Sequence, residues 1–186
     1  MAKIIGIAGS LRKASYNAAL LRAAATLAPE GVAIEIASIA GIPLYDGDLE
    51  TSAGIPDPVV RLKDAIAAAD GLILATPEYN NSIPGVFKNA IDWLTRPAAD
   101  IPRVFGGKPV AIIGASPGNF GTILSQNAWL PVLRVLGTKP WFGGRLLVPR
   151  AQSAFDDAGT IADEALKQRL RQFIEGFAAF VRAPLG

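Results

Sequence analysis

The run from residue 3 to residue 8 is apolar beyond Lys3 and closes on Gly9, the pattern of a central parallel strand buried on both faces. Leu20, Leu21, Ala24, Ala25 and Ala28 then recur at helical spacing, which predicts a helix over 15–28, stopped by Pro29 and Gly31. Val32 to Ala37 is the next strand. The mixed stretch from Ser38 to Pro58, with Ile42-Pro43-Leu44-Tyr45-Asp46 inside it, suits either a functional or interface loop or a wandering surface loop. A helix from about Asp57 to Ala69 leads into Gly71 to Thr76, the cleanest buried strand of the chain, which breaks at Pro77. Pro84-Gly85 opens a helix reaching about Thr95, with Val86, Phe87, Ala90, Ile91 and Leu94 on its apolar face and Trp93 expected in the core or an interface. Beyond a Pro/Gly-rich connection over 97–107, Pro109 to Ala115 forms the fourth strand. Thr122 to Leu136 has a helical pattern that Pro131 is expected to kink or divide. A short fifth strand is predicted around Arg145 to Val148, after a Trp141-Phe142 packing or subunit surface, and Asp163 to Val181 closes the chain as an amphipathic helix.

Strands alternating with helices predict an α/β fold: one domain over 1–186, a doubly wound five-stranded parallel sheet of order 2-1-3-4-5 with helices on both faces. In such a sheet ligands lie outside the carboxyl ends of the strands, at the switch in strand order. Three unusual loops meet there, after strands one, three and four. The first, Gly9-Ser10-Leu11-Arg12-Lys13-Ala14-Ser15-Tyr16-Asn17, joins strand to helix through hydroxyl, amide and basic side chains. Gly9 frees the turn, Ser15 is a good N-cap and Asn17 can join the donor cluster, so the loop suits a phosphate as well as it suits a plainly capped helix. The loops at 77–82 and 116–121 are rich in Gly, Pro, Asn and Ser; they offer backbone N–H and C=O groups to the edge of a flat heterocycle, with Tyr79 able to cover a ring. Together they imply a mononucleotide cofactor. The glycine fingerprint of a dinucleotide fold is missing, as is the phosphate-loop lysine motif.

Composition narrows the chemistry. With no Cys and no His, a thiolate nucleophile, a Ser-His-Asp triad, a Cys/His zinc site and a histidine acid or base are all excluded. Carboxylate chemistry, a carboxylate-bound magnesium or an organic cofactor stay open. Lys and Arg number 18 against 16 Asp and Glu, scattered rather than clustered, which does not make a nucleic-acid face. No secretory signal precedes the first strand and no apolar run has the length of a membrane span, so a cytoplasmic enzyme without a membrane partner is expected.

The first loop, Pro77-Glu78-Tyr79-Asn80-Asn81-Ser82-Ile83-Pro84-Gly85 running into Lys88-Asn89-Ala90-Ile91-Asp92-Trp93, and a Ser116-x-Gly118 loop carry a resemblance over nearly the whole chain. The sequence resembles the NAD(P)H-dependent FMN reductases of flavodoxin-like fold, which include bacterial quinone and chromate reductases. The resemblance implies that Ser10, Arg12, Ser15 and Asn17 hold the FMN phosphate, with Leu11 and Tyr16 giving backbone or packing contacts. It implies that Pro77, Glu78, Tyr79 and Asn80 line the isoalloxazine and that Ser116 and Gly118 close its other side. Lys13, and even Arg12, also fit as surface charge, and Glu78 as a solvated loop carboxylate. The implied reaction is ping-pong: hydride passes from NAD(P)H to flavin N5, then electrons pass to quinones, chromate, ferric chelates or similar small acceptors, with no catalytic side chain and no metal. Subunit contacts near the flavin imply a homodimer or homotetramer. A flavodoxin-like electron carrier without NAD(P)H oxidation is the competing expectation, and a flavin-free scaffold a third. One departure stands out: where the family often has Gly-Gly-x-Arg-Ala-Gln, this chain has Gly121-Thr122-Ile123-Leu124-Ser125-Gln126, and Leu130 occupies a later arginine position. The departure leaves open the NADH or NADPH preference and any anion site or subunit contact those arginines serve.

Overall fold

The computed structural model describes residues 1–156 and 158–183. Its sheet is built from β1 (Ala2–Ala8), β2 (Val32–Ala37), β3 (Gly71–Ala75) and β4 (Pro109–Ala115), all parallel, in the order β2-β1-β3-β4. Two short strands, β5 (Lys139–Pro140) and β6 (Leu146–Val148), both pair in parallel with the outer edge of β4. The predicted order is therefore the observed one, and the predicted fifth strand is β6. What the pattern did not reveal is the separate piece β5 lower on the same edge. Between the two pieces Trp141 turns onto Phe173 and Phe177, with ring centroids 4.9 and 5.8 Å away. A Cβ on Gly143 would sit 2.6 Å from the Trp141 indole nitrogen, so the chain leaves the sheet there to make room for the ring.

The helices cover both faces. On one side α1 (Tyr16–Thr26) and α8 (Glu164–Arg182) bury Leu20, Leu21, Leu170, Ile174 and Phe177 against Ile4, Ile73 and Ile113. On the other, α3 (Asp57–Ala67), α4 (Gly85–Leu94) and α6 (Ile123–Val135) bury Val59, Phe87, Trp93 and Trp129 against Ile5, Ile7, Leu72 and Leu74. Successive strand residues thus point into different cores, which is why the strands read as unbroken apolar runs. Trp93 is fully buried, as its place beside the apolar stripe of α4 requires.

Three connections differ from expectation. The stretch from Ser38 to Pro58 contains a short helix, α2 (Gly47–Ala53), capped by Asp46, whose side chain accepts the Asp48 N–H at 2.8 Å. The 97–107 connection contains a 3₁₀ turn, Ala98–Asp100, and α5 (Ile101–Phe105). Helix α6 continues through Pro131 undivided; Pro131 lies on its exposed face, where water can serve the carbonyl that loses its N–H partner. A further short helix, α7 (Ala151–Ala154), follows β6. No described helix is long and apolar enough to cross a membrane.

Candidate active site

The first loop leaves β1 at Gly9, whose N–H donates to the Ala75 carbonyl at 2.9 Å. Gly9 has no positive φ; a Cβ there would lie 2.2 Å from the Phe87 ring. Close packing over α4, rather than turn freedom, is what demands glycine. Ser10 Oγ accepts the Arg12 N–H at 3.3 Å and Ser15 Oγ, as N-cap of α1, accepts the Ala18 N–H at 3.3 Å. Each hydroxyl keeps its own proton for a further acceptor. Among the described residues, nothing accepts the backbone N–H groups of Tyr16 and Asn17 at the start of α1. Arg12 is exposed and has no carboxylate within ion-pairing distance among the described residues.

Asn17 is placed differently from a simple loop donor. It is buried, its Nδ2 donates to the Ala115 carbonyl and its Oδ1 accepts the Ala115 N–H, both at 2.9 Å. The side chain ties α1 to the end of β4, and the group left at the loop is its backbone N–H.

The second loop is a tight reversal. Tyr79 and Ser82 exchange backbone hydrogen bonds of 3.2 and 3.1 Å around Asn80 and Asn81, whose φ values of 49° and 61° are those a type I′ turn needs. Asparagine tolerates that conformation, so Asn80 is in the first instance a turn residue. Tyr79 stays 45% exposed beside the cleft. Just before the turn, Thr76 Oγ1 donates to the Pro77 carbonyl at 2.9 Å and takes bonds from Ser125 Oγ at 2.8 Å and Trp129 Nε1 at 3.1 Å. Glu78 Oε2 accepts the N–H groups of Leu124 and Ser125 at 2.8 and 3.0 Å.

The third loop is held from below. Ser116 Oγ donates to the Gly121 carbonyl at 2.6 Å, and the Ser116 and Gly118 carbonyls accept the N–H groups of Ala151 and Arg150 at 3.0 and 2.9 Å. Arg150 Nε reaches Asn119 Oδ1 at 3.1 Å from a backbone of φ 48°. Gly114 allows this closeness, since a Cβ there would meet Thr122 Oγ1 at 1.9 Å and the Thr76 carbonyl at 2.4 Å.

Ser10, Arg12, Ser15, Tyr16, Asn17, Pro77, Glu78, Tyr79 and Ser116 line one cleft, joined by Ala115 and Pro117, which the sequence reading did not single out. Leu11, Asn80 and Gly118 lie outside its lining; Leu11 borders a neighbouring hollow with Ile36 and Ser38 at the end of β2. The cleft encloses only about 60 Å³, less than the 310 Å³ hollow beside Arg22 and Lys167 or the 210 Å³ hollow between α6 and Trp141. Size does not single it out. Its lining includes two helix N–H groups, two hydroxyls and a guanidinium, the first and last without a partner among the described residues; that donor set suits a phosphate, and the cleft sits at the switch point between β1 and β3. No described cluster of three or more acidic, Cys or His side chains could hold a metal ion.

The sheet order, together with the family and relatives it matches, makes the chain a flavin oxidoreductase of flavodoxin-like architecture. The family model for NADPH-dependent FMN reductase matches residues 2–153, and the chain belongs to that family, whose members use FMN as cofactor and NAD(P)H as co-substrate. It is 44% identical over 180 residues to an NAD(P)H-dependent FMN reductase of Pseudomonas aeruginosa, covering 97% of this chain and 95% of the relative. It is 39% identical to a 2-hydroxy-1,4-benzoquinone reductase of a Burkholderia species, covering 97% and 96% of the two chains. Among solved structures, the NAD(P)H:acceptor oxidoreductase FerB of Paracoccus denitrificans superposes with a TM-score of 0.86 at 35% identity, over 97% of each chain.

Proposed function

We propose that this chain is a cytoplasmic NAD(P)H:quinone reductase in which FMN lies between the first loop and the ring-side loops, and in which nucleotide and acceptor take turns at one exposed face. The cleft at the switch point carries the reading: its lining joins the donors of the first loop to Pro77, Tyr79 and Ser116. Ser10, Arg12, Ser15 and the N–H groups of Tyr16 and Asn17 bind the phosphate, with Leu11 packing outside. Pro77, Glu78, Tyr79 and Ser116 border the ring, while Asn80, in the turn, and Gly118, outside the lining, shape the loops that carry them. FMN, when bound, supplies the redox chemistry; the protein orients the ring, presents backbone donors where negative charge develops and keeps one rim open. Quinones are the favoured acceptors because relatives of 39% and 36% identity are named for them. An open rim also admits chromate and ferric chelates. Exposed Leu44, Phe120 and Phe142 suit subunit contacts in a homodimer or homotetramer, which sedimentation equilibrium will test.

The deciding experiment is anaerobic mixing of the FMN-loaded protein with NADH or NADPH, followed by a panel of quinones, chromate and ferric chelates. Rapid two-electron bleaching and reoxidation by quinone are expected; no bleaching by either nucleotide would leave an electron carrier instead. Arg12→Ala should raise the FMN dissociation constant on the order of tenfold, the value of one charge-assisted phosphate contact, with turnover per bound flavin unchanged. Unchanged affinity would remove the phosphate from the first loop.

A further inference from the structure

We propose that Glu78, besides lining the cleft, is a positioning residue that works through α6: its carboxylate caps that helix and fastens the two ring-side loops into one wall. The helix needs an outside cap. Its own N-cap residue, Thr122, makes no side-chain capping bond; its hydroxyl is fully buried, faces Gly114 and accepts the Gln126 Nε2 at 3.2 Å. The N–H groups of Leu124 and Ser125, at the second and third helical positions, are therefore served from the loop after β3, by one oxygen of Glu78 at 2.8 and 3.0 Å. Those are the positions an ordinary capping oxygen serves. The negative charge also opposes the positive end of the 13-residue helix.

The consequence for the site follows from what stands on either side of that bond. Glu78 and its neighbours Pro77 and Tyr79 line the cleft, and the third loop from Ser116 runs directly into α6. A second tie, between Thr76 Oγ1 and Ser125 Oγ at 2.8 Å, lies buried beneath the first. Glu78 is the outer of the two. Without it the floor stays joined through Thr76 while the rim of the wall, where a flat ring would be gripped, is free to part.

This inference rests on FMN occupying the cleft, and its test separates the two. Amide hydrogen exchange at Leu124 and Ser125 is measured in the flavin-free protein for wild type, Glu78→Ala and Glu78→Gln, and FMN affinity is titrated by fluorescence quenching for the same three. In Glu78→Ala, exchange at those two amides should speed up and the FMN dissociation constant should rise, each on the order of fivefold, the equivalent of a typical cap. Glu78→Gln keeps a capping oxygen and should recover most of both. Unchanged exchange in Glu78→Ala overturns the cap, and faster exchange with unchanged FMN affinity reduces it to a purely structural bond; either result sinks the proposal. Failure of the wild type to bind FMN overturns the assignment of the cleft instead, and with it the positioning role, while the exchange data still judge the cap.

Discussion

Asn17 shows what a side chain gains from partners far along the chain. Read from sequence, it is one more polar group beside a phosphate loop; in the structure both ends of its amide are engaged by Ala115, 98 positions away. Asn17→Ala should therefore act first on stability. It leaves the N–H and C=O of a residue that is only 2% exposed without partners, a loss of about 2–4 kcal/mol measured by denaturant unfolding of the flavin-free protein. A fall of less than about 1 kcal/mol would mean that water replaces the tie. Glu78 and Gly9 teach the same lesson. The pattern of residues located the loop that each belongs to, because strand ends fix where loops meet, but it could not say that Glu78 aims at α6 or that Gly9 lies under Phe87. Those facts depend on contacts across elements, which a local pattern does not encode.

The elements that were legible are those that bury a stripe. β2 and β4 begin and end where their apolar runs do, and α1 starts at the capping serine. Helix α2 escaped notice because it buries no side chain, so it has no apolar period to read. In it and the segment before it, only Ile42 and Leu49 lean on the core, and polar groups do much of the rest of the holding. The Pro43 carbonyl accepts bonds from Asn89 Nδ2 and Trp93 Nε1 at 2.8 and 2.9 Å, and Glu50 takes the Arg96 guanidinium at 2.8 Å and the Tyr45 hydroxyl at 3.0 Å. Helix α5, too short to show a period, is fixed by the fully buried Val104 and Phe105, and its start by Lys63, which reaches Asp100 and the Arg96 carbonyl, and by Arg103 on Asp64 at 2.9 Å. Hydrogen bonding from Arg96, ahead of that from Tyr45, holds the Glu50 carboxyl below the ordinary glutamate range. A lowered folded-state value means that this contribution is complete above the ordinary glutamate pKa and disappears as pH falls through the lower one. Thermal midpoints of wild type and Glu50→Gln should accordingly converge as pH drops below the ordinary glutamate range. A gap of constant size at all pH values would show that the charge of Glu50 does not matter.

At the scale of the molecule, the order of strands was readable because alternating elements and right-handed crossovers leave few topologies. The divided outer edge at β5 and β6 was not, since a two-residue strand carries no pattern and its cause is the packing of Trp141 on α8. The same long-range architecture bears on the order of events as the protein forms. The bond between Asn17 and Ala115 closes a loop of more than half the chain, and the Glu78 tie likewise waits for α6 to be in place. Contacts so distant in sequence form late, after the entropy of closure has been met by strand pairing. The cleft is then a product of folding and not a seed for it, because Ala115 to Pro117 of its lining come only at the end of β4. Refolding rates in stopped flow should be the same with and without FMN, while unfolding slows when FMN is bound. A refolding rate that climbs with FMN concentration would show that the cofactor instead gathers the loops while the sheet is still incomplete.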